Sequence, residues 1–229
     1  MNLQNESARY VSSARESGHP FNQYIPNELS SANVSNILDV GCGEGAFSHH
    51  VSTQIGVPLV GVEPSLQVVE NLRKSHEGTE TISFEVGSAS SLPFEDQSFD
   101  LVMVIGVLAW VQQGDWLRSV SELERVSRRY IWVRDFHTVR PFRVPYRHVP
   151  GWYSFRRDFS VVLTSGGSWS VVDEHYSRNT GESWHELSPL DFEPFEGNPN
   201  NYWSWKDTLF KFHEENLFPI RTADFFNEK

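Results

Sequence analysis

Residues 37 to 45 read Ile-Leu-Asp-Val-Gly-Cys-Gly-Glu-Gly, and no other stretch narrows the fold of this chain so far. Ile37 to Val40 predict the end of a buried strand. Gly41, Gly43 and Gly45 then let the main chain turn sharply into a helix, because glycine enters the left-handed region without penalty. A side chain at Gly41 or Gly43 would also keep a ligand away from the backbone. Asp39 sets a carboxylate near the carboxyl end of the strand, just before the first glycine. Such a turn forms a binding floor for a flat, nucleoside-containing molecule.

The pattern around this turn alternates. Pro58–Val62 predicts a second strand, ending at Glu63, and Ser65 can cap a helix running to about His76. Thr81–Val86, Phe99–Ile105 and Tyr130–Arg134 predict the third, fourth and fifth strands. Ala46–Gln54 and Val111–Val126 predict helices, the second with Trp116, Leu117, Val120, Leu123 and Val126 on one buried face. Parallel strands need crossover helices, so the alternation implies an α/β doubly wound, mostly parallel sheet. Ligands in such sheets sit at the carboxyl ends of the strands. That rule gathers Asp39, Glu63, Ser88, Ile105 and Asp135 around one cleft.

Past the fifth strand the pattern changes. Pro141, Pro145 and Pro150 exclude a single helix across Phe136–Gly151. Arg156–Ser165 predicts a helix stopped at Gly166-Gly167, and Ser168–Tyr176 and Lys206–His213 predict strands. Asn179–Asn201, rich in Pro, Gly and Glu, reads as an insertion or loop. Asn2–Glu16 predicts a short helix, followed by breaks at Gly18 and Pro20.

The whole chain has 229 residues, 38% of them hydrophobic, which suits a single domain with a sizeable core. A net charge of −11 argues against general nucleic-acid binding. The lone cysteine, Cys42, excludes an intrachain disulfide and a thiolate zinc cluster, and no metal site is expected. The polar start of the chain has no apolar signal core, and the longest apolar run, Leu101–Val111, is too short to span a bilayer. A cytoplasmic protein is the expectation. The sequence assigns no oligomeric state.

Glu63 matters as much as the glycines. An acid at the end of the second strand, about twenty residues past the turn, can accept both hydroxyls of a cofactor ribose. Dinucleotide enzymes share this arrangement, so an NAD or FAD oxidoreductase is the rival reading. Asp39 separates the two, since it would repel a pyrophosphate and attract an ammonium group. Asp39 could instead cap the following turn through backbone amides.

Leu38-Asp39-Val40-Gly41-Cys42-Gly43-Glu44-Gly45, Val62-Glu63-Pro64-Ser65, Gly87-Ser88-Ala89 with Leu92-Pro93-Phe94, and Phe99-Asp100-Leu101-Val102 occur in order at suitable spacing. Together they resemble the class I S-adenosylmethionine-dependent methyltransferases over residues 35 to 135. The resemblance implies a seven-stranded, Rossmann-like sheet with an antiparallel last strand and S-adenosyl-L-methionine as cofactor. It implies that Gly41, Gly43 and Gly45 pass close to the methionine part of the cofactor and that Asp39 holds its ammonium group. Glu63 would take the ribose, Pro64 or Ser65 would border the adenine, Ser88 and Ala89 would line the adenine edge, and Ile105 and Gly106 would sit beside the sulfonium. The family often has an acid where this chain has Ser88, which weakens that contact. A catalytically inactive methyltransferase-like subunit is the rival outside enzymology.

The segment from Arg125 to Arg157 is unusually basic for so acidic a chain, with Asp135 as its only acid. Arginine suits bidentate capture of phosphate or carboxylate. Residues 136–157 are therefore a candidate substrate loop for a small anionic or sugar-linked acceptor, with Arg140, Arg143, Arg147 and Tyr153 as contacts. The alternative is a solvated face or pairing with the acidic insertion. Arg140-Pro141-Phe142-Arg143-Val144-Pro145-Tyr146, Val149-Pro150-Gly151 and Arg157-Asp158-Phe159 resemble methyltransferases of bacterial surface-polysaccharide synthesis. O-methylation would need a base. His137 leads, followed by Asp135, Tyr146 and His148, unless His137 is simply a loop histidine bonded to backbone. Residues 1–30, with Tyr10, His19, Phe21 and Tyr24, could close over the cleft as a lid or pack on the core.

Overall fold

The computed structural model describes residues 23–137, 141–145, 151–179, 184–187 and 204–213. Five parallel strands form the centre: β1 (Ile37–Val40), β2 (Leu59–Glu63), β3 (Ile82–Val86), β4 (Phe99–Ile105) and β5 (Ser127–His137). Beyond β5 lie β6 (Phe142–Pro145), β7 (Tyr153–Arg156), β8 (Trp169–Asn179), β9 (Trp184–Leu187) and β10 (Ser204–Phe212). The main sheet runs β3-β2-β1-β4-β5-β10-β8-β9. β10 is antiparallel to both β5 and β8. The sheet thus has the expected seven strands with an antiparallel last one. Short β9 adds an eighth at the edge, from within the 179–201 insertion.

From β1 the chain steps outward through β2 to β3, then returns to place β4 on the other side of β1. The order therefore reverses between β1 and β4, which opens a crevice at their carboxyl ends. Asp39 on β1 is flanked by Gly61 of β2 and Met103 of β4.

The strands are apolar on both faces because both are covered. On one face Leu38, Val40, Val102, Val104, Ile131 and Val133 meet Val120, Leu123 and Val126 of helix α4 (Trp116–Val126) and Leu163 of α5 (Ser160–Ser165). On the other, Ile37, Leu59, Leu101, Met103 and Trp132 meet Leu29 of α1 (Asn27–Ser31), Val51 of α2 (Ala46–Ile55), and Val69 and Leu72 of α3 (Leu66–Ser75). Ser65 caps α3 as expected, its hydroxyl accepting from the Val68 amide.

Three expectations change. The helix at Val111–Val126 starts only at Trp116, after a 3-10 turn at Leu108–Trp110. Leu117 is 54% exposed, because it lies about 100° around the helix from Trp116 and falls off the face shared with Val120 and Leu123. The helix at Arg156–Ser165 shortens to α5, since Tyr153–Arg156 pairs with β6 as a hairpin. Asp158 then holds the start of α5 by accepting from the Ser160 amide at 2.9 Å. The helix expected at Asn2–Glu16 and most of the insertion lie outside the described residues. Residues 23–30, the described end of the candidate lid, pack on the sheet: the Tyr24 ring stacks on His175 of β8 at 3.9 Å.

Candidate cofactor cleft and acceptor pocket

The glycine turn is tied to the end of β2. The amides of Gly41 and Cys42 both donate to the Val62 carbonyl, at 2.7 and 3.0 Å. Gly41 has φ +78°, and a Cβ there would lie 2.4 Å from Val107 Cγ2. The turn therefore needs glycine at that position for its own packing as well as for ligand access. Gly45 (φ +74°) opens α2, and a Cβ on it would press into Leu72 and Phe84. Gly43, at φ +54°, completes the left-handed steps.

Two carboxylates flank this turn at the ends of adjacent strands, and both are buried: Asp39 is 3% exposed and Glu63 2%. Asp39 accepts from the Ser48 hydroxyl of α2, and among the described residues no backbone amide donates to it, so it does not cap the turn. Burial, with the Glu63 charge nearby, pushes its carboxyl from the ordinary 3.8 up to about 7, against the lowering effect of Ser48. Among the described residues no cation pairs with Asp39. Glu63 accepts from the Ser65 amide at 3.2 Å. A cationic ligand relieves this acid pair, whereas a pyrophosphate would be repelled by it. The residues present thus fit a molecule with an ammonium group at one end and a ribose at the other. The Cys42 thiol is pushed well up by burial and by Asp39 and Glu63, so it stays protonated and inert.

The other expected contacts sit at or just past the carboxyl ends of β2, β3 and β4. Pro64 follows Glu63, half-buried. Ser88 is half-buried past the end of β3, where it exchanges hydrogen bonds with Ser91. Ala89 turns its methyl into the core. Ile105 ends β4, and Gly106 (φ +70°) donates to the Arg134 carbonyl at 2.7 Å. Val107 then reaches back to the glycine turn, and the Ala109 amide donates to Asp135 at 2.9 Å. The 3-10 turn thereby joins the cofactor cleft to the end of β5.

A second hollow lies over β5 and β10 under the 157–159 loop. It is lined by Asp135, His137, Arg157, Asp158, Lys206 and neighbouring apolar groups. Asp135 accepts from Ala109 and Phe136 amides, yet burial pushes its carboxyl up to about 7. His137 is not on a loop, as the simpler alternative has it. It ends β5, 8% exposed, with Asp158 4.0 Å away. Burial lowers its pKa below the ordinary 6.5 and Asp158 partly opposes this, so the ring is neutral near pH 7. Lys206 donates to Glu174 at 2.6 Å and to Asp158 at 3.3 Å.

The basic segment divides. Arg125 pairs with Glu122 and Asp96, Arg128 with Asp100, and Arg134 with Asp207, so these arginines brace the fold. Arg143 is exposed on the β6–β7 hairpin, its guanidinium over the Tyr153 ring at 4.3 Å. The Tyr153 carbonyl accepts from Gln112, which fixes the hairpin beside the 3-10 turn. Arg140, Tyr146, Arg147 and His148 lie outside the described residues. Sequence reasoning misses Lys206 and Asp158. The signal for Lys206 is its inward register with Thr208 and Phe210 on a buried strand face that carries no other charge.

Residues 37–129 match the family model of a methyltransferase domain. The chain is 35% identical over 100 residues to norajmaline N-methyltransferase of Rauvolfia serpentina, covering 42% of this chain and 34% of that protein. It is 31% identical over 107 residues to an O-methyltransferase of Pyrenophora dematioidea, covering 45% and 39%. The chain thus spans only about a third of the length of the curated relatives it matches. Solved methyltransferases share the fold. The 1,6-didemethyltoxoflavin-N1-methyltransferase of Burkholderia thailandensis, with bound S-adenosylhomocysteine, superposes at TM-score 0.56 and 12% identity, over 91% of this chain and 79% of that one. Residues 37–129 thus resemble a methyltransferase domain, and the described sheet has the mostly parallel, Rossmann-like fold of the class I methyltransferases. Among the described residues no helix is long and apolar enough to cross a membrane, and no cluster of His, Cys, Asp and Glu could hold a metal ion.

Proposed function

We propose that this chain transfers a methyl group from S-adenosylmethionine to an oxygen of a small anionic or sugar-linked acceptor. The observation that carries the reading is the buried pair Asp39 and Glu63 on either side of a glycine turn. When bound, the cofactor supplies an electrophilic methyl on a sulfonium whose departure leaves a neutral thioether. The chain's own part is chiefly alignment and exclusion of water. Asp39 receives the ammonium end, Glu63 the ribose, and Gly41, Gly43 and Gly45 admit the ligand to the main chain. Ser88, Ala89 and Pro64 border the base.

The acceptor side is built around the end of β5. His137 is neutral near pH 7 and takes the acceptor's hydroxyl proton at an imidazole nitrogen. Asp135, its carboxyl pushed up by burial to about 7, lines the same hollow. Arg143 and Tyr153, with Arg140 and Arg147 of the same segment, attract the acceptor. Tyr146 and His148 are the remaining proton-handling candidates. Such an acceptor suits surface-polysaccharide synthesis, the setting that the segment's motif resembles.

The test is transfer of labelled methyl from S-adenosylmethionine to a panel of sugar phosphates, uronic acids and uncharged sugars. Label in the anionic sugars supports the reading. Cofactor binding with label only in uncharged or nitrogen acceptors would overturn the acceptor half. No cofactor binding would overturn the whole.

A further inference from the structure

Arg157 closes the candidate substrate loop 136–157 without being one of its four named contacts, and its surroundings set it apart from the other arginines. Its guanidinium lies over the rings of Trp116, Phe155 and Phe159, at 4.6, 4.9 and 5.9 Å from their centroids. Aromatic faces orient the planar group without using any of its five N–H donors. Arg73, Arg125, Arg128 and Arg134 each donate to a carboxylate. Among the described residues Arg157 donates to none, although it lines the hollow with Asp135 and His137. The other cation there, Lys206, is engaged by Glu174 and Asp158. Asp135 is its charged neighbour, but among the described residues no hydrogen bond joins them, so the half-buried guanidinium keeps N–H donors for a ligand, and leaving buried donors unmade is costly.

We infer that Arg157 is the specificity-determining contact for a phosphate or carboxylate oxyanion on the acceptor, received in the hollow between β5, β10 and the 157–159 loop. The inference rests on the methyltransferase reading and adds to it the residue that selects a charged acceptor. The planar fork suits two parallel bonds to such a group, and the stacked rings preorganise it. Asp135 lies on the same wall. An anion beside Arg157 favours its protonated form, which can donate to the ligand, so the two groups are compatible.

The experiment titrates inorganic phosphate, glucose 1-phosphate, glucuronate and uncharged methyl glucoside into the full chain saturated with S-adenosylhomocysteine. The proteins are wild type, Arg157→Met and Arg157→Lys. Met keeps the aliphatic packing on the rings, and Lys keeps the charge without the fork. Affinity for glucose 1-phosphate or glucuronate is expected to fall about 10- to 100-fold in Arg157→Met and by less in Arg157→Lys. Binding of S-adenosylhomocysteine itself should stay within about twofold of wild type, since Arg157 is outside the glycine-turn cleft. The stronger of the two sugar anions identifies the source of the oxyanion. Unchanged anion affinity in both variants overturns the inference. So does wild-type protein that takes up S-adenosylhomocysteine but none of the anions. Parallel loss of anion and cofactor binding in both variants would also overturn it, by assigning Arg157 a structural role. Failure of wild type to bind S-adenosylhomocysteine would strike the cofactor reading beneath it.

Discussion

Replacing Asp39 with Asn should make the ligand-free protein more stable and the cofactor bind less tightly. Burial holds the Asp39 carboxyl at about 7 in the folded state, against 3.8 when exposed. The folded form therefore keeps a proton that the unfolded form releases, and stability falls as pH rises from about 3.8 to about 7. At about 1.36 kcal/mol for each tenfold step, the raised carboxyl costs the fold about 4 kcal/mol at pH 8, where it is ionised, and less than half of that at pH 5, where the folded form takes up the proton. Asn keeps the shape and an oxygen for the Ser48 hydroxyl but never ionises. Urea unfolding of Asp39→Asn against wild type should show a gain that widens between pH 5 and 8. The gain should be about 2–4 kcal/mol at the upper end, allowing for imperfect isostery. Calorimetry of the same pair should show S-adenosylhomocysteine bound about 10- to 100-fold more weakly, the loss of a charge-assisted contact to its ammonium group. Wild-type affinity should rise with pH up to about 7, because binding needs the ionised carboxylate. An Asp39→Asn variant that is less stable than wild type at pH 8, or that binds the ligand as tightly, would refute the reasoning.

Other outcomes follow from the same structure. Gly41→Ala forces a Cβ against Val107 at a positive φ and should cost about 2–5 kcal/mol together with cofactor binding; adding Val107→Ala should restore the steric part in urea melts but not the dihedral part. The acid limb of the methyl-transfer pH profile should fall below pH 6.5, where His137 gains its proton, and should flatten in His137→Ala; nearly full kcat in that variant at all pH values would remove the base role. Asp207→Ala removes the carboxylate that the buried Arg134 guanidinium and the Trp132 indole N–H donate to, and should lower stability by about 3–5 kcal/mol without changing which acceptor is methylated.

The parts legible in the sequence are those set by local chemistry. Alternating apolar runs mark the five parallel strands, the β4 limits at Phe99 and Ile105 to the residue, and the Ser65 cap. The glycine spacing locates the turn, and strand-end acids locate the cleft. What stays hidden depends on contacts distant in sequence. Nothing near Arg134 announces Asp207, and nothing near Arg125 announces Asp96 and the Leu92 and Phe94 carbonyls, so a run of arginines looks like a binding surface. Arg157 differs from them only through three rings that the fold brings around it. Arg156 reads as the start of a helix because the hairpin partner of Tyr153–Arg156 lies across a proline-rich break. Leu117 is misplaced because a count of apolar residues ignores the angle between neighbours on a helix.

The most direct test is calorimetric titration of S-adenosylmethionine into wild-type protein and Glu63→Gln. Two strand-end acids gripping the ammonium and the ribose predict saturable uptake by wild type and about 10-fold or greater weakening in the variant. No uptake by wild type, or equal uptake by both, would contradict it.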